Sequence, residues 1–465
     1  MEIQIKEIGA IKDATIDLSK KLNVFCGPNG TGKTYMAYII YAITSLENKN
    51  LGIRLDKELI NKLVSEKEVS LTIDINDVWK YQQNEISQIK NNLWSLFALS
   101  ETKQEQYFNK SSIAFLETED KFQERILNLE YKWDIKLDNY NFVKKKKKNS
   151  FTLNLTIPNE VKRDERFVAY IDIVLMSRIY SLLAFFPITS SIFFPVERNS
   201  IFTFSNELSI RNNERYEMIQ EMLLEKKDLN PFQLILNRKT RYPQAIKDAL
   251  KVADDLDEYQ KTKSSFYHFA EEIENELLNG KVIISKDGNV EFKSNKAKSL
   301  SLSFHQSSSI VKTLASLILY LKHKAVENDL IIIDEPELNL HPNNQILLAR
   351  IFSKLIKNGL RIIVSTHSDY IIREFNNILM ISQGDEEIKE LATEIGGYKE
   401  DEIFETTDIN MYLFNFKNDK ALKADVKILS KNLSGFSIKS IDETIEKQSE
   451  IANQLFYALR FGKVE

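Results

Sequence analysis

The feature that most constrains this chain is the glycine-rich segment 27–34, which has the sequence GPNGTGKT. It follows the apolar run 22–26 and precedes the helix-prone run 35–43. A strand, a glycine turn and a helix in this order form the context in which the pattern G-x-x-x-x-G-K-[ST] binds phosphate. The alternative is an incidental glycine turn beside a lysine. It does not explain why the preceding and the following runs also match the strand and the helix that a phosphate-binding loop requires. The segment therefore predicts a nucleoside triphosphate site.

The residue types in this segment predict how phosphate is held. Gly30 and Gly32 allow a tight turn that directs successive backbone N–H groups at phosphate oxygens. The helix that starts near Lys33 adds the positive end of its dipole. The Lys33 ammonium is expected to reach the β- and γ-phosphates, and the Thr34 hydroxyl to take one Mg²⁺ position. The predicted nucleotide-binding residues are Gly27, Pro28, Asn29, Gly30, Thr31, Gly32, Lys33 and Thr34.

Composition sets the outer limits of the prediction. A chain of 465 residues, 43% hydrophobic and 28% charged, is typical of a soluble globular protein with two or three domains. The net charge of −4 provides no global basic surface for nucleic acid. The single cysteine, Cys26, excludes an internal disulfide and a zinc site built from cysteines. Charged residues and prolines interrupt the apolar stretch 170–195, and the chain starts without a signal-peptide pattern, so we expect no membrane span and a cytoplasmic location.

Alternation of apolar and polar residues predicts strands at 2–8, 14–18, 69–75 and 151–157. We expect these strands to share one antiparallel sheet, with the residues between the last two protruding as a mostly helical insertion. This insertion ends in five consecutive lysines, from Lys144 to Lys148, which favour an exposed, mobile loop because like charges repel. A contact of the lysine run with nucleic acid or an acidic partner is the alternative.

Several further elements are expected between these strands and the end of the chain. The patterns predict helices over 164–186 and 344–357 and a second helical insertion over 206–279. The turn chemistry of Asp287-Gly288-Asn289 predicts a hairpin.

Arg198 ends the apolar segment 191–198, whose last four residues are Pro-Val-Glu-Arg. In an open α/β sheet, ligands gather at the carboxyl ends of the strands. Arg198 is therefore a candidate to touch a phosphate or to couple the nucleotide state to the insertion. A surface ion pair is the equally weighted alternative.

The second half of the predicted site lies at the ends of two later strands. Residues 330–335 form an apolar run that ends in Asp334 and Glu335, as expected for a central parallel strand buried on both faces. Asp334 is expected to hold Mg²⁺, and Glu335 to orient and deprotonate the attacking water. The next predicted strand, 361–365, leads to His367, which could contact the γ-phosphate and sense its loss.

Three serines, Ser307, Ser308 and Ser309, precede a predicted helix over 310–322 and are called here the serine segment. Serines at a helix start are ordinary caps. Their hydroxyl and N–H groups could also grip a phosphate, provided that the phosphate is bound to a second subunit.

The order of these motifs resembles that of ABC-type ATPases. In that family, segment 27–34 corresponds to Walker A, the serine segment to the signature, 331–336 to Walker B and His367 to the switch histidine. The serine segment departs from the usual Ser-Gly-Gly of the signature, which affects the expected contact between subunits.

This resemblance implies ATP and Mg²⁺ as ligands, ATP hydrolysis, and a homo-oligomer with composite ATP sites. It makes Lys33, Glu335 and His367 the catalytic residues, and Thr34 and Asp334 the metal-binding residues. Arg198, Ser307, Ser308 and Ser309 join the nucleotide-binding set.

The segment 334–342, DEPELNLHP, looks like the SMC, RecF and OLD branch rather than transporters. The whole chain, including 195–198 and 368–377, resembles the stand-alone ATPases of bacterial anti-phage systems. The closest resemblance is to the AriA ATPases of PARIS, with the PtuA ATPases of Septu as near relatives. Such ATPases act as sensor and scaffold, holding and releasing a separate, nuclease-type effector in response to a phage protein trigger.

The residues after His367 are few for the Toprim nuclease domain of OLD proteins, so we expect the effector on another chain. We expect strands near 378–382, 410–416 and 421–429 and a helix over 441–459.

The implied fold class is α/β. We expect an ABC-type ATPase head, with helices on both faces of a mixed P-loop sheet and an antiparallel β subdomain, and two mainly helical insertions. The head would comprise 1–75, 151–205 and 280–465, and the insertions 76–150 and 206–279. The alternative function is a RecF- or SMC-like ATPase that clamps DNA in repair or recombination. The acidic net charge and the lack of long heptad arms favour the defence function over DNA contact.

Overall fold

We analysed a computed structural model of the chain. It describes residues 1–45, 68–127, 141–147, 150–156, 176–203, 242–254, 260–286, 288–296, 301–417 and 422–461, together with a few isolated positions. Helices and strands are numbered in chain order within these residues.

A nine-stranded mixed sheet forms the centre of the described structure. Its strands, in spatial order, are β5 (Ser112–Phe115), β1 (Glu2–Ile8), β2 (Ile11–Asp17), β15 (Ala424–Ile428), β14 (Ile409–Phe416), β3 (Leu22–Cys26), β13 (Arg361–Thr366), β12 (Leu330–Asp334) and β8 (Ser191–Phe194). The five strands from β14 to β8 are mutually parallel. The edge formed by β2, β1 and β5 is antiparallel. The sheet therefore confirms the mixed α/β class.

The parallel strands are buried on both faces. Along β12, Ile332 packs into one hydrophobic core, while Ile331 and Ile333 pack into the other. Phe25 and Val24 of β3 divide in the same way between the two cores. Successive side chains of a strand point to opposite faces, so an unbroken apolar run requires cover on both sides.

Helices supply this cover. The first core contains residues of α1 (Lys33–Thr44), such as Met36 and Ile40. The second core contains residues of α9 (Ser309–His323), such as Leu314 and Ile318. The other described helices are α2 (Ile75–Asn91), α3 (Leu93–Leu96), α4 (Lys103–Phe108), α5 (Glu119–Leu127), α6 (Met176–Phe185), α7 (Gln244–Asp254), α8 (Tyr267–Ile273), α10 (Pro342–Lys357), α11 (Asp369–Gln383), α12 (Glu386–Gly396) and α13 (Lys439–Phe461).

The predicted single antiparallel sheet is wrong. β4 (Glu68–Asp74) and β7 (Ser150–Thr156) do pair with each other, but they form a separate three-stranded sheet with β6 (Asn141–Lys147). The outer edge of β1 is occupied by β5, with Ile3 opposite Phe115. Because a strand has only two edges, β4 and β7 have no place beside β1.

The lysine run also differs from the prediction. Lys144 to Lys147 lie within β6, whose backbone pairs with β7 from Lys144 opposite Leu153 to Lys147 opposite Ser150. The ladder satisfies the backbone groups that a loop would leave to water. Lys148 lies outside the described residues.

A third sheet contains the predicted hairpin, with β9 (Gly280–Ile284), β10 (Val290–Ser294) and β11 (Ser301–Ser303). Residues 378–382, predicted as a strand, lie instead in α11. The Ser368 hydroxyl caps this helix by accepting a hydrogen bond from the Ile371 N–H. Of the helix predicted over 164–186, residues 164–175 lie outside the described residues, as do 206–241 of the second insertion.

No helix in the described part of the chain combines the length and the apolar character needed to cross a membrane.

Candidate functional site

The phosphate-binding segment lies between the end of β3 and the start of α1. Gly27 has φ 130°, and a Cβ placed there would lie 2.0 Å from the carbonyl oxygen of Phe414. Gly32, with φ 98°, is the N-cap of α1. Gly30, with φ 76°, faces open space, and the neighbouring Pro28 and Asn29 are exposed. The loop thus adopts backbone angles that favour glycine, and its exposed residues leave space for a phosphate group to approach.

Lys33 folds back over this loop. Its Nζ donates hydrogen bonds of 2.9 Å to the carbonyl oxygens of Gly27 and Pro28. Thr31 Oγ1 donates to the same Pro28 oxygen at 2.8 Å. Burial lowers the pKa of Lys33, and the nearby Asp334 carboxylate acts in the opposite direction. Both lysine contacts are to neutral carbonyls, so phosphate oxygens would be stronger partners for the ammonium.

Thr34 and Asp334 meet across the sheet. Thr34 Oγ1, in the first turn of α1, donates a hydrogen bond of 2.8 Å to Asp334 Oδ2 at the end of β12. Ser365, on the intervening β13, donates to Asp334 Oδ1. Burial raises the pKa of the Asp334 carboxyl, while the two hydrogen bonds act to lower it.

These oxygen atoms fit Mg²⁺. A hydroxyl and a carboxylate are the hard ligands that this ion prefers, and nucleotide sites hold it with one or two carboxylates plus phosphate oxygens. Within the described residues, no group of three or more His, Cys, Asp or Glu side chains could hold a metal ion. The donor set matches an ion shared with a nucleotide rather than an all-protein cage.

Glu335 and His367 face each other beside this pair. His367 Nε2 lies 4.0 Å from Glu335 Oε1, and the two side chains are 31% and 35% exposed. A ligand or a water molecule can therefore reach both. Burial lowers the pKa of His367, and the charge of Lys33 lowers it further. Both effects favour the neutral form of the imidazole, while the Asp334 carboxylate opposes them.

Glu335 has an unusual backbone. Its φ is 48°, in the left-handed region that residues with a Cβ rarely adopt. Its N–H donates a hydrogen bond of 2.9 Å to the Ser365 carbonyl oxygen. Such strain is found where surrounding structure fixes a residue, often at active sites.

Glu337 is a residue of this site that sequence reasoning missed. Its Oε1 accepts a hydrogen bond of 2.6 Å from the backbone N–H of His367. Burial raises the pKa of this carboxyl, and the hydrogen bond from His367 opposes that effect. Its position two residues after Glu335 was the available signal, but the spacing did not identify a backbone partner on another strand.

Arg198 lies under the site rather than at the loop. Its side chain is buried and bonds to four backbone carbonyls, those of Pro195, Thr313, Asp334 and Glu335. Burial lowers the pKa of this guanidinium to about 10. These contacts engage all three guanidinium nitrogens with the main chain, so they do not support the predicted phosphate contact or the surface ion pair.

The serine segment stands at the start of α9. Ser307 is buried, and its hydroxyl donates to the Ser303 carbonyl oxygen at 3.0 Å. Ser308 is the N-cap residue, but its hydroxyl makes no capping hydrogen bond, so the predicted side-chain cap is wrong there. Ser308 and Ser309 are exposed. Their contact with a neighbour's phosphate stays a prediction.

Comparison with known proteins gives one family match. A family model described as "AAA ATPase domain" matches residues 1–372. No curated protein matches the chain.

Several solved structures are similar to the chain. An SMC head bound to the C-winged helix domain of ScpA is 11% identical, with a TM-score of 0.36 and coverage of 92% of this chain and 97% of that one. The SMC head of Thermotoga maritima is 9% identical, with a TM-score of 0.32 and coverage of 92% and 98%. A Pyrococcus furiosus SMC head with an extended coiled coil, bound to the C-terminal domain of ScpA, is 12% identical, with a TM-score of 0.34 and coverage of 97% and 98%. Because these TM-scores are low, the solved structures carry no argument about this chain, and its family is shown by the family model alone.

Proposed function

The chain belongs to the AAA ATPase domain family, and from this premise we propose that it binds ATP with Mg²⁺ and hydrolyses the ATP. The observation that carries the proposal is the meeting of Thr34 with Asp334 at 2.8 Å. It brings the end of the phosphate-binding loop to the strand that ends at Asp334, directly before Glu335. Lys33, Glu335 and His367 lie around this contact.

The loop and Lys33 would bind the phosphates. The glycine backbone presents N–H groups at the N-terminus of α1, where the helix dipole favours negative charge. The Lys33 ammonium would leave the carbonyls of Gly27 and Pro28 for the phosphate oxygens. Thr34 and Asp334 would hold Mg²⁺, which neutralises charge on the β- and γ-phosphates when bound.

Glu335 would act as the general base. Its carboxylate is partly exposed and stands at the end of the strand that carries Asp334, where it can accept a proton from the attacking water. His367 would donate a hydrogen bond to the γ-phosphate. Glu337, by accepting the His367 backbone N–H, would keep the imidazole in place beside Glu335.

The site would be completed by a second subunit. Ser308 and Ser309 of the serine segment are exposed at the positive end of α9, as a surface that grips a neighbour's γ-phosphate must be. Closure by a partner would exclude water and complete the catalytic set. We propose a homo-oligomer in which each ATP is held between a loop and a serine segment of different copies.

In the cell, we propose that this ATPase is a cytoplasmic sensor and scaffold subunit of an anti-phage defence system. It would hold a separate, nuclease-type effector and release it when a phage protein acts as trigger. Support comes from the resemblance of the whole chain, including segments 195–198 and 368–377, to the stand-alone ATPases of such systems.

Co-purification from the native operon tests this role. The wild-type chain and Lys33→Ala would be captured with ATP and with ADP, and the retained proteins identified by mass spectrometry. We expect a nuclease-type partner whose retention depends on the nucleotide and on Lys33. If no such partner is retained, and the ATP-loaded chain instead binds duplex DNA with strong salt dependence, the RecF- or SMC-like function is correct.

A further inference from the structure

We propose that Arg198 is a positioning residue for Glu335, and that it makes the orientation of the Glu335 carboxylate depend on the position of α9. The inference rests on the proposed ATPase function. It assigns Arg198 to the hydrolysis step rather than to nucleotide binding.

The first observation is that one guanidinium holds the peptide groups on both sides of Glu335. Arg198 donates to the Asp334 carbonyl oxygen at 2.7 Å and to the Glu335 carbonyl oxygen at 2.6 Å. The first oxygen belongs to the peptide before the Glu335 Cα and the second to the peptide after it. The angles φ and ψ of Glu335 set the relative orientation of these two planes, so fixing both planes fixes the direction of the Cα–Cβ bond.

The second observation is that this backbone needs support. Glu335 has φ 48°, an unfavourable value for a residue with a Cβ. The residue that follows is Pro336, which has no N–H and restricts the residue before it. The Glu335 N–H is held by Ser365, as described above, so Arg198 completes the set of hydrogen bonds around the two peptide groups. Charged donors make stronger hydrogen bonds to carbonyls than neutral ones do.

The third observation connects the hydrogen bonds between Arg198 and the two peptide groups to α9. Arg198 Nε donates to the Thr313 carbonyl oxygen at 3.2 Å. The Thr313 hydroxyl has one proton and three acceptors within reach: the Ser309 carbonyl oxygen in α9 itself at 3.0 Å, Asn199 Oδ1 at 3.1 Å and the Leu338 carbonyl oxygen at 3.3 Å. Thr313 is only one turn from the serine segment, because α9 begins at Ser309. A shift of α9 would therefore move both the residue next to Arg198 and the loop after Glu335.

These contacts predict a specific consequence for catalysis. When a neighbouring nucleotide engages the serine segment, α9 takes a fixed position and Arg198 holds Glu335 for proton transfer. A small misplacement of a reacting group can lower a rate by about 10²-fold. None of the four carbonyl partners belongs to the phosphate-binding loop, so ATP affinity should be nearly independent of Arg198.

The test compares Arg198→Lys with the control Arg350→Lys. A lysine keeps the charge but cannot span carbonyls from four residues. Arg350 is also largely buried and bonds to Glu374 and the Gly396 carbonyl, none of which belongs to the site. We expect Arg198→Lys to bind ATP within about threefold of wild type and to lose roughly 10–100-fold in kcat. Arg350→Lys should keep the wild-type kcat.

A double-mutant cycle distinguishes a positioning role from a general structural one. If Arg198 acts through Glu335, Arg198→Lys should change the residual rate of Glu335→Gln by less than about twofold. If Arg198→Lys proves unfolded by circular dichroism, Thr313→Val decides instead. This variant removes the hydroxyl that lies between the Ser309 carbonyl oxygen, Asn199 and Leu338, and keeps the Thr313 carbonyl that accepts from Arg198. It should lower kcat by roughly three- to tenfold at unchanged ATP affinity.

Three results would overturn the inference while wild-type hydrolysis remains intact. The first is a wild-type kcat in a folded Arg198→Lys or, where Thr313→Val decides, in that variant. The second is a loss of ATP affinity and of kcat by the same factor. The third is that the effects of Arg198→Lys and Glu335→Gln on kcat are independent of each other. If the wild-type chain binds ATP but never hydrolyses it, the proposed function itself fails, and this inference fails with it.

Discussion

The Thr34 hydroxyl donates a hydrogen bond of 2.8 Å to Oδ2 of Asp334, although 300 positions separate the two residues in the chain. The strand order explains the contact. β3, which leads into the phosphate-binding loop, and β12, which ends at Asp334, both flank β13 and run parallel to it. Their carboxyl ends therefore meet at one edge of the sheet, where open α/β sheets bind ligands. Most of the proposed catalytic set is built around this edge.

Replacing Lys33 with alanine should abolish ATP binding or weaken it by several orders of magnitude. The substitution removes the ammonium that bonds to the loop carbonyls of Gly27 and Pro28, and a charge-assisted contact with phosphate in a buried site is worth several kcal/mol. Isothermal titration with ATP and Mg²⁺ measures the loss. Lys80→Ala, at a side chain that is 76% exposed, is the matched control and should bind like wild type. Unchanged affinity in a folded Lys33→Ala would contradict the assignment.

Composite sites predict complementation between inactive variants. Lys33→Ala and Ser308→Arg should each be inactive alone, because one lacks the loop contact and the other blocks the serine segment. In an equal mixture of dimers, half are hybrids with one intact site out of two, so roughly a quarter of the wild-type ATPase rate should return.

The control mixture pairs Lys33→Ala with Glu335→Gln. Both changes lie on the loop side of the site, so no hybrid contains an intact site and no activity should return. Failure of the first mixture, with subunit exchange confirmed by light scattering, would rule out composite sites. A strictly monomeric ATP-loaded chain at micromolar concentration would do the same.

Asp329 should make the stability of the fold depend on pH. Its buried carboxyl accepts hydrogen bonds from Tyr320, Val326 and Thr189 just before β12 begins. Burial raises its pKa from 3.8 to about 6. Between these two values the folded state binds more protons than the unfolded state, so the free energy of unfolding falls as the pH rises. The destabilisation that the ionised carboxylate causes is complete above about pH 7 and disappears toward pH 4.

The variant Asp329→Asn removes this titration. As the pH falls from 6 to 4, the free energy of unfolding of wild type should increase relative to that of the variant by up to about 1.4 kcal/mol for each pH unit. The difference should be constant above about pH 7, where the carboxyl is ionised in both states. Urea unfolding of both proteins across this range measures it, and a constant difference throughout, or one of opposite sign, would refute the assigned pKa.

The sequence predicted the parts of the site whose chemistry lies in neighbouring residues. The loop from Gly27 to Thr34 and the pair Asp334 and Glu335 carry their own context, a glycine turn before a helix and carboxylates after an apolar strand. The structure brings these segments to one edge of the sheet, as the predicted parallel strands require. His367 was placed there by the same argument, since it follows the neighbouring strand β13.

Residues that act through the backbone escaped this reasoning. The partners of Arg198 are carbonyl oxygens of four separate residues, and every residue type carries a carbonyl. Glu337 likewise contacts a backbone N–H. Side-chain patterns do not report such contacts. The buried Arg198 was therefore assigned a phosphate or an ion pair as its partner, and the half-buried Glu337 was assigned no role.

The predicted sheet for β4 and β7 and the predicted strand at 378–382 were also wrong, and each error has a physical reason. Alternation along β4 and β7 shows that each strand has two different faces, but it does not tell which edge they join. The apolar residues at 378–382 are compatible with strand or helix over so short a run. The longer period through Ile371, Phe375 and Ile378, together with the Ser368 cap, decides for the helix.

The central claim is that Glu335 is the base for ATP hydrolysis at the edge where Thr34 meets Asp334. The most direct test measures ATP binding and phosphate release for wild type and Glu335→Gln on the same preparations, with Mg²⁺ present. The amide keeps the shape of the side chain but cannot accept a proton, so we predict ATP affinity within about threefold of wild type and phosphate release slower by roughly 10²–10⁴-fold. Phosphate release from Glu335→Gln at the wild-type rate, or a wild-type protein that binds ATP without releasing phosphate, would contradict the account.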